Sequence, residues 1–209
     1  MWDSERIAAA AKVVSELYLQ APSQQLRTAL ADPEMLAQWP LNDPASVRGI
    51  SILQEAINGG AGAAGAGGGA GGGAGTAEDE AHDHLYLYVG IGRPLAQPCE
   101  SPYFSDDGLV FDEDTFAVRR WYQKYGMAAA NHRLPDDHIG VEFAFIGELA
   151  TRGELVAAQD FVTAHLGRFA PQVFAATSAN AISPTYKALP ELSQGILDSL
   201  ATATGFQNP

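Results

Sequence analysis

The chain has 209 residues, 46% of them hydrophobic, and a formal charge of −13, which suits a globular protein with one sizeable core. Twelve Lys and Arg against 25 Asp and Glu argue against nucleic-acid binding, which needs clustered cations on phosphate, and point instead to a basic partner. No apolar run approaches the roughly 18–20 residues of a membrane span. The start, MWDSERIAAAAKVV, lacks the layout of an export signal, and the single cysteine, Cys99, excludes an internal disulfide and a cysteine zinc cage. A protein of the cytoplasm without membrane insertion is the expectation.

Helical signals dominate the first part of the chain. Ile7, Ala11, Val14 and Tyr18 fall on one stripe, with Asp3 or Ser4 available as the N-cap. Asp32-Pro33 and Asp43-Pro44 each set a capping acid before a proline at the first helical position. The second launches a helix with Val47, Ile50, Gln54 and Ile57 inward, closed by Asn58-Gly59. Residues 59–75 contain only glycine and alanine and hold half of the chain's 22 glycines. They lack the Gly-Lys-Ser/Thr of a phosphate loop, so residues 59–77 are expected to be a flexible surface insert. After it, Ala81, Leu85, Tyr88 and Val89 resume helical spacing, although HLYLYV also alternates with period two and keeps a strand in competition.

From Gly90 to Gly108 the chain is rich in Gly and Pro without periodicity, the mark of a long loop, and such loops inside a compact domain are usually functional. Asp114 is the expected cap of a helix through Phe116, Val118, Trp121, Tyr122 and Tyr125 that Gly126 closes. Another begins near Asp136, with Ile139, Phe143, Ile146 and Ala150 inward, and a third carries Leu155, Ala158, Phe161, Val162, His165 and Leu166. One or two more cover roughly 185–203 through Tyr186, Leu189, Leu192, Ile196 and Leu200. These patterns predict an all-α fold: a single-domain helical bundle of about eight to eleven helices over residues 1–209. Between Thr76 and Asp114 ten acids face one cation, Arg93, which makes either a solvated face or a surface that receives positive charge.

The stretch LPDDHIGVEF, residues 134–143, concentrates the chemistry. His138 and Glu142 share a helical face with Asp137 adjacent, and His82 and His84 offer further donors, so a helical metal-dependent hydrolase is one candidate. That spacing is permissive only. No serine sits in a nucleophile elbow, and nothing in the sequence depresses the Cys99 pKa, so no catalytic residue and no cofactor is assigned. Asp136 and Asp137 can also be acids of a first helical turn, where one carboxylate suffices for capping and the second is left to bind.

Two segments carry a resemblance. DHLYLYVGIGRPLAQPCESPYFSDDGLVF (83–111) and LPDDHIGVEFAFIGELA (134–150) resemble the two signature motifs of the TorD/DmsD family, cytoplasmic chaperones that mature molybdenum oxidoreductases. Asp83, Leu87-Tyr88, Gly90, Gly92 and Pro98 to Tyr103 match the first motif, and Leu134, Pro135, Asp137, His138 and Glu142 the second, with the intervening VRRWYQKYGM also similar; residues 78–150 form the signature region. The resemblance implies an all-helical, TorD-like, non-enzymatic protein that acts as a monomer or homodimer. Its implied partners are the twin-arginine signal peptide and the body of a molybdopterin oxidoreductase of the DMSO reductase type, bound until the cofactor is inserted. A nitrate-reductase-type assembly chaperone, serving a catalytic subunit that faces the cytoplasm, is the alternative within the same superfamily. The implied groove is lined by His84, Leu87, Tyr88, Pro98, Cys99, Ser101 and Tyr103, with Asp137 and His138 at its polar end and Glu142 one turn along. Asp137 is the expected partner of an arginine. Cys99, Pro102 and His84 depart from the residues usual at their positions, which reshapes the pocket.

Overall fold

A computed structural model describes residues 2–63, 75–105, 107–129 and 133–205. Among these the chain forms eleven α-helices and one π-helical turn, so the all-α expectation holds. In order they are α1 (Trp2–Leu19), α2 (Gln24–Leu30), α3 (Pro33–Leu36), α4 (Pro44–Ala63), α5 (Ala77–His84), the π turn Leu85–Val89, α6 (Ser101–Phe104), α7 (Glu113–Lys124), α8 (Ile139–Thr151), α9 (Leu155–Ala164), α10 (Leu166–Asn180) and α11 (Pro184–Thr204).

Short polar side chains start most of them. Asp32 Oδ1 accepts the Glu34 N–H at 2.8 Å and Asp43 Oδ1 the Ser46 N–H at 2.9 Å, as the two Asp-Pro pairs predict. Ser23 opens α2, which the periodicity did not reveal, and Thr76 with Asp79 makes a capping box at α5. Several starts differ from expectation. Asp3 and Ser4 lie inside α1 rather than before it, and Asp112, not Asp114, caps α7. The helix expected to run from Leu155 to Leu166 ends at Ala164, because the His165 backbone (φ −134°, ψ −85°) leaves the helical region, and Leu166 instead opens α10, a 15-residue helix that the periodicity did not reveal.

The Gly/Ala stretch also departs from expectation at its edges. α4 continues through Gly59 to Ala63, and Thr76-Ala77 belong to the capped start of α5; the part from 64 to 74 lies outside the described residues.

α1 packs along α8 and α11, and α4 packs along α11. The predicted stripe of α1, Ile7, Ala11, Val14 and Tyr18, is wholly buried, as are Ile139, Phe143, Ile146 and Ala150 of α8 and the five apolar residues predicted for α11. α4 is turned relative to expectation: Val47 is exposed, while Ala45, Ser46 and Leu53 face inward. Close approach is the reason. A Cβ on Gly49 would come within 2.7 Å of Leu192, and one on Gly140 within 2.8 Å of Leu19, so the helix surfaces meet through small residues. The centre of the bundle is aromatic, with the Tyr18 ring stacked on Phe143 at 5.8 Å and edge-on to Tyr88 at 5.1 Å. No helix of the described residues is long and apolar enough to cross a membrane.

Candidate functional site

The HLYLYV segment is a helix that widens. α5 passes directly into the π turn, where the Gly90 N–H reaches back five residues to Leu85 O at 2.6 Å, and Gly90 then turns away with φ 78°. Widening the turn puts consecutive residues Leu87 and Tyr88 both inward and leaves the Tyr86 and Leu87 carbonyls free to accept Leu95 and Ala96 N–H groups at 3.0 and 2.9 Å. The Gly/Pro loop is therefore folded back on the turn. Asp83 anchors the same region, since its carboxylate accepts the Ser183 N–H and O–H, both at 2.7 Å, before α11.

The two signature segments meet. Cys99 and His138 form an isolated antiparallel bridge, in which the Glu100 N–H donates to Asp137 O at 3.0 Å and the Ile139 N–H to Pro98 O at 2.7 Å. A turn at Asp136-Asp137, closed by the His138 N–H on Pro135 O at 3.2 Å, and extended backbone at His138 delay the helix, so α8 starts at Ile139 and not near Asp136. His138 is its cap, with Nδ1 accepting the Gly140 N–H at 3.1 Å. Burial pushes the His138 pKa down to about 4, helped by the facing His84, so the imidazole is neutral near pH 7. Since Nδ1 is the acceptor, the proton sits on Nε2. His84 is lowered by burial too, against its hydrogen bond to Tyr18 O at 3.3 Å.

A cleft of about 340 Å³ opens beside this bridge. His84, Tyr88, Pro98, Cys99 and His138 line it as the sequence suggests, joined by Tyr18, Leu19, Val89, Pro94, Gln97, Val110, Phe111, Leu134 and Pro135. Among the described residues no carboxylate lines it. Val89, Val110 and Phe111 are also 43–55% exposed, and Ile91, Leu95 and Leu109 nearby in sequence are more than half exposed, so the cleft belongs to an uncovered apolar surface. Phe111 holds a left-handed backbone (φ 65°), a costly conformation for a bulky residue.

Other predicted site residues stand behind the wall. Leu87 lies in the core at 1% exposure, and Tyr103 packs on Phe169 with its O–H donating to Gln97 O at 2.9 Å. Asp137 is fully buried and its oxygens are in use: Oδ2 accepts the Ser101 N–H at 2.8 Å and the Ser101 hydroxyl, while Oδ1 accepts the Thr115 hydroxyl at 2.7 Å. Asp137 and Ser101 thus tie α6, α7 and the start of α8 together, and Asp137 offers no face to an incoming arginine. Glu142, expected one turn along the groove, points into the interior with both oxygens unpartnered among the described residues. Burial raises its pKa well above the ordinary carboxylate range, and Glu100 and Asp137 push the same way. The Cys99 thiol is raised by burial and by the same acidic surroundings, which makes it a poor nucleophile.

Asp137, His138 and Glu142 do not converge as metal ligands. Among the described residues the acidic and imidazole donors that do converge, within 4.8 Å, are Glu100, Asp114 and His165. A guanidinium already bridges that set, because Arg168 Nη1 donates to Glu100 Oε1 at 2.6 Å and to Asp114 Oδ1 at 3.0 Å. Glu100, fully buried, also meets His165 Nδ1 at 2.8 Å.

Sequence reasoning missed Val110, Phe111, Leu134 and Pro135 as wall residues. All four stand inside the two quoted segments, Val110-Phe111 at the end of 83–111 and Leu134-Pro135 at the start of 134–150, but nothing local beyond their apolar character marks them as facing a cleft. Comparison with known proteins gives a family model described as nitrate reductase delta subunit, which matches residues 50–175. No curated protein matches the chain.

Proposed function

The chain belongs to the nitrate reductase delta subunit family, chaperones of molybdoenzyme assembly, and from that premise we propose that it binds the leader of an immature molybdopterin oxidoreductase in the cleft between its two signature segments. The observation that carries this is the Cys99–His138 bridge, which brings both segments to one apolar cleft. Tyr88, Val89, Pro98, Val110 and Pro135 suit an apolar run of the leader. His84 and His138, neutral near pH 7, offer hydrogen bonds without repelling cations. Asp112 and Glu113, both exposed, follow directly on Phe111 and favour positive charge beside the apolar wall. A twin-arginine signal peptide, an Arg-Arg pair ahead of an apolar run, has both properties. In this role the protein holds its client in the cytoplasm until the molybdenum cofactor is inserted, and it performs no catalysis.

The family description also suits a client related to nitrate reductase whose leader is a remnant without the arginine pair. Calorimetric titration separates the two with synthetic leaders that share an apolar run and either carry or lack Arg-Arg. Both peptides are expected to bind, the Arg-Arg form more tightly if the leader is a twin-arginine signal. Replacing the apolar run by serines is expected to abolish binding, and undiminished binding of that control refutes the proposal.

A further inference from the structure

A second, polar cleft of about 430 Å³ lies at the head of α7, between Phe104, the acids Asp112 to Asp114, and the junction of α9 with α10. Arg168, in the first turn of α10, is seated there. Besides its bonds to Glu100 and Asp114, its Cζ lies 4.0 Å from the centroid of the Phe104 ring. Two carboxylates and an aromatic face are the parts of a guanidinium receptor. The receptor is open on one side, with the Arg168 side chain 37% exposed and Asp114 23%. Arg120 stands at the same cleft, so its acids are not an unopposed cluster. The two clefts adjoin: Phe111 is a wall of the apolar one and Asp112, the next residue, a wall of the polar one.

We propose that this polar cleft is an arginine subsite for the client leader, filled in the free protein by Arg168 as an internal stand-in that a leader arginine displaces. The inference rests on the leader-binding role proposed above and specifies which part of the leader goes where. Exchange keeps Glu100 paired throughout, so no bare carboxylate is left buried while one guanidinium replaces another. Occupancy by Arg168 lowers the apparent affinity for the incoming arginine in proportion to the time the subsite is filled. It thereby selects leaders whose apolar run is already anchored next door.

Calorimetry on the full chain, wild type against Arg168→Ala, with an Arg-Arg leader and its Lys-Lys counterpart, tests this. The variant is expected to bind the Arg-Arg leader about five-fold or more tightly than wild type does, with little gain for Lys-Lys. Ethylguanidinium is expected to raise the Tm of the variant and not of the wild type. Equal gains for both peptides, no gain, or no response to ethylguanidinium overturns the subsite. Should Arg168→Ala fail to fold, Arg168→Lys keeps a cation at Glu100 without the planar fork, and the same preference for Arg-Arg over Lys-Lys is expected. If neither protein binds any leader while ethylguanidinium stabilises the variant, leader binding falls and the guanidinium receptor stands. If leaders bind with no preference for arginine, only the subsite falls.

Discussion

Replacing Asp137 with asparagine separates a tether from a ligand-binding carboxylate. Asp137 accepts three hydrogen bonds at zero exposure, from the Ser101 N–H, the Ser101 hydroxyl and the Thr115 hydroxyl. Asparagine keeps one carbonyl oxygen, able to serve either the Ser101 pair or Thr115. On the other side it presents an N–H₂ to a donor. With hydrogen bonds to charged groups worth about 1.5–3 kcal/mol each, the loss of one or two predicts a cost of about 2–5 kcal/mol. For a chain of this length that lowers Tm by roughly 5–15 °C. Differential scanning calorimetry measures the Tm, and peptide titration well below it measures affinity. The expected result is a large drop in Tm, with weaker peptide binding following from a loosened 98–104 loop. An unchanged Tm with peptide affinity lost would refute the reasoning, because it would make Asp137 a direct partner of the ligand.

Phe111→Gly removes a left-handed strain of about 1 kcal/mol or more together with one wall of the cleft, so denaturant midpoints should hold or rise while leader affinity falls. A fall in both would make the ring part of the core. His138 titrates near 6.5 when unfolded and about 4 when folded, so the unfolded state takes up the extra proton and stability falls as pH drops through that window. The full effect is about 3 kcal/mol, and His138→Asn, which keeps a capping oxygen, should flatten the slope in urea melts from pH 7 to 4; an unaltered slope contradicts the burial argument. Glu142 works in the other direction: its folded pKa is raised, so stability falls as pH climbs above about 4.5, and Glu142→Gln should be more stable than wild type at pH 8 and nearly equal at pH 4. Equal destabilisation at both pH values would mean an ionised, partnered carboxylate.

Local periodicity carried the helices whose inner faces are made of large apolar residues. α1, α8 and α11 bury the predicted stripes because each presents several such residues at helical spacing. α4 was legible in position but not in rotation, since the face toward α11 is built on Ala45, Ser46 and Gly49, whose value is close approach and not hydrophobicity. The alternation in HLYLYV was ambiguous because a π turn follows neither period, burying adjacent Leu87 and Tyr88. In the site, the resemblance identified which segments meet. It could not say which atoms face the cleft. Asp137 looked available because a second acid stood beside it, yet its partners Ser101 and Thr115 lie 36 and 22 residues away. Glu142 shares a helical face with His138, and burial of the lower turn of that face is decided by the whole bundle.

Photo-crosslinking tests the central claim most directly. A leader peptide with benzoylphenylalanine inside its apolar run is bound to the full chain, irradiated, digested and mapped by mass spectrometry. Crosslinks are expected at Val89, Pro98, Val110, Phe111 and Pro135. Crosslinks gathered instead on α4, or in a separate groove lined by Tyr122, Met127, Val141 and Phe145, would contradict it.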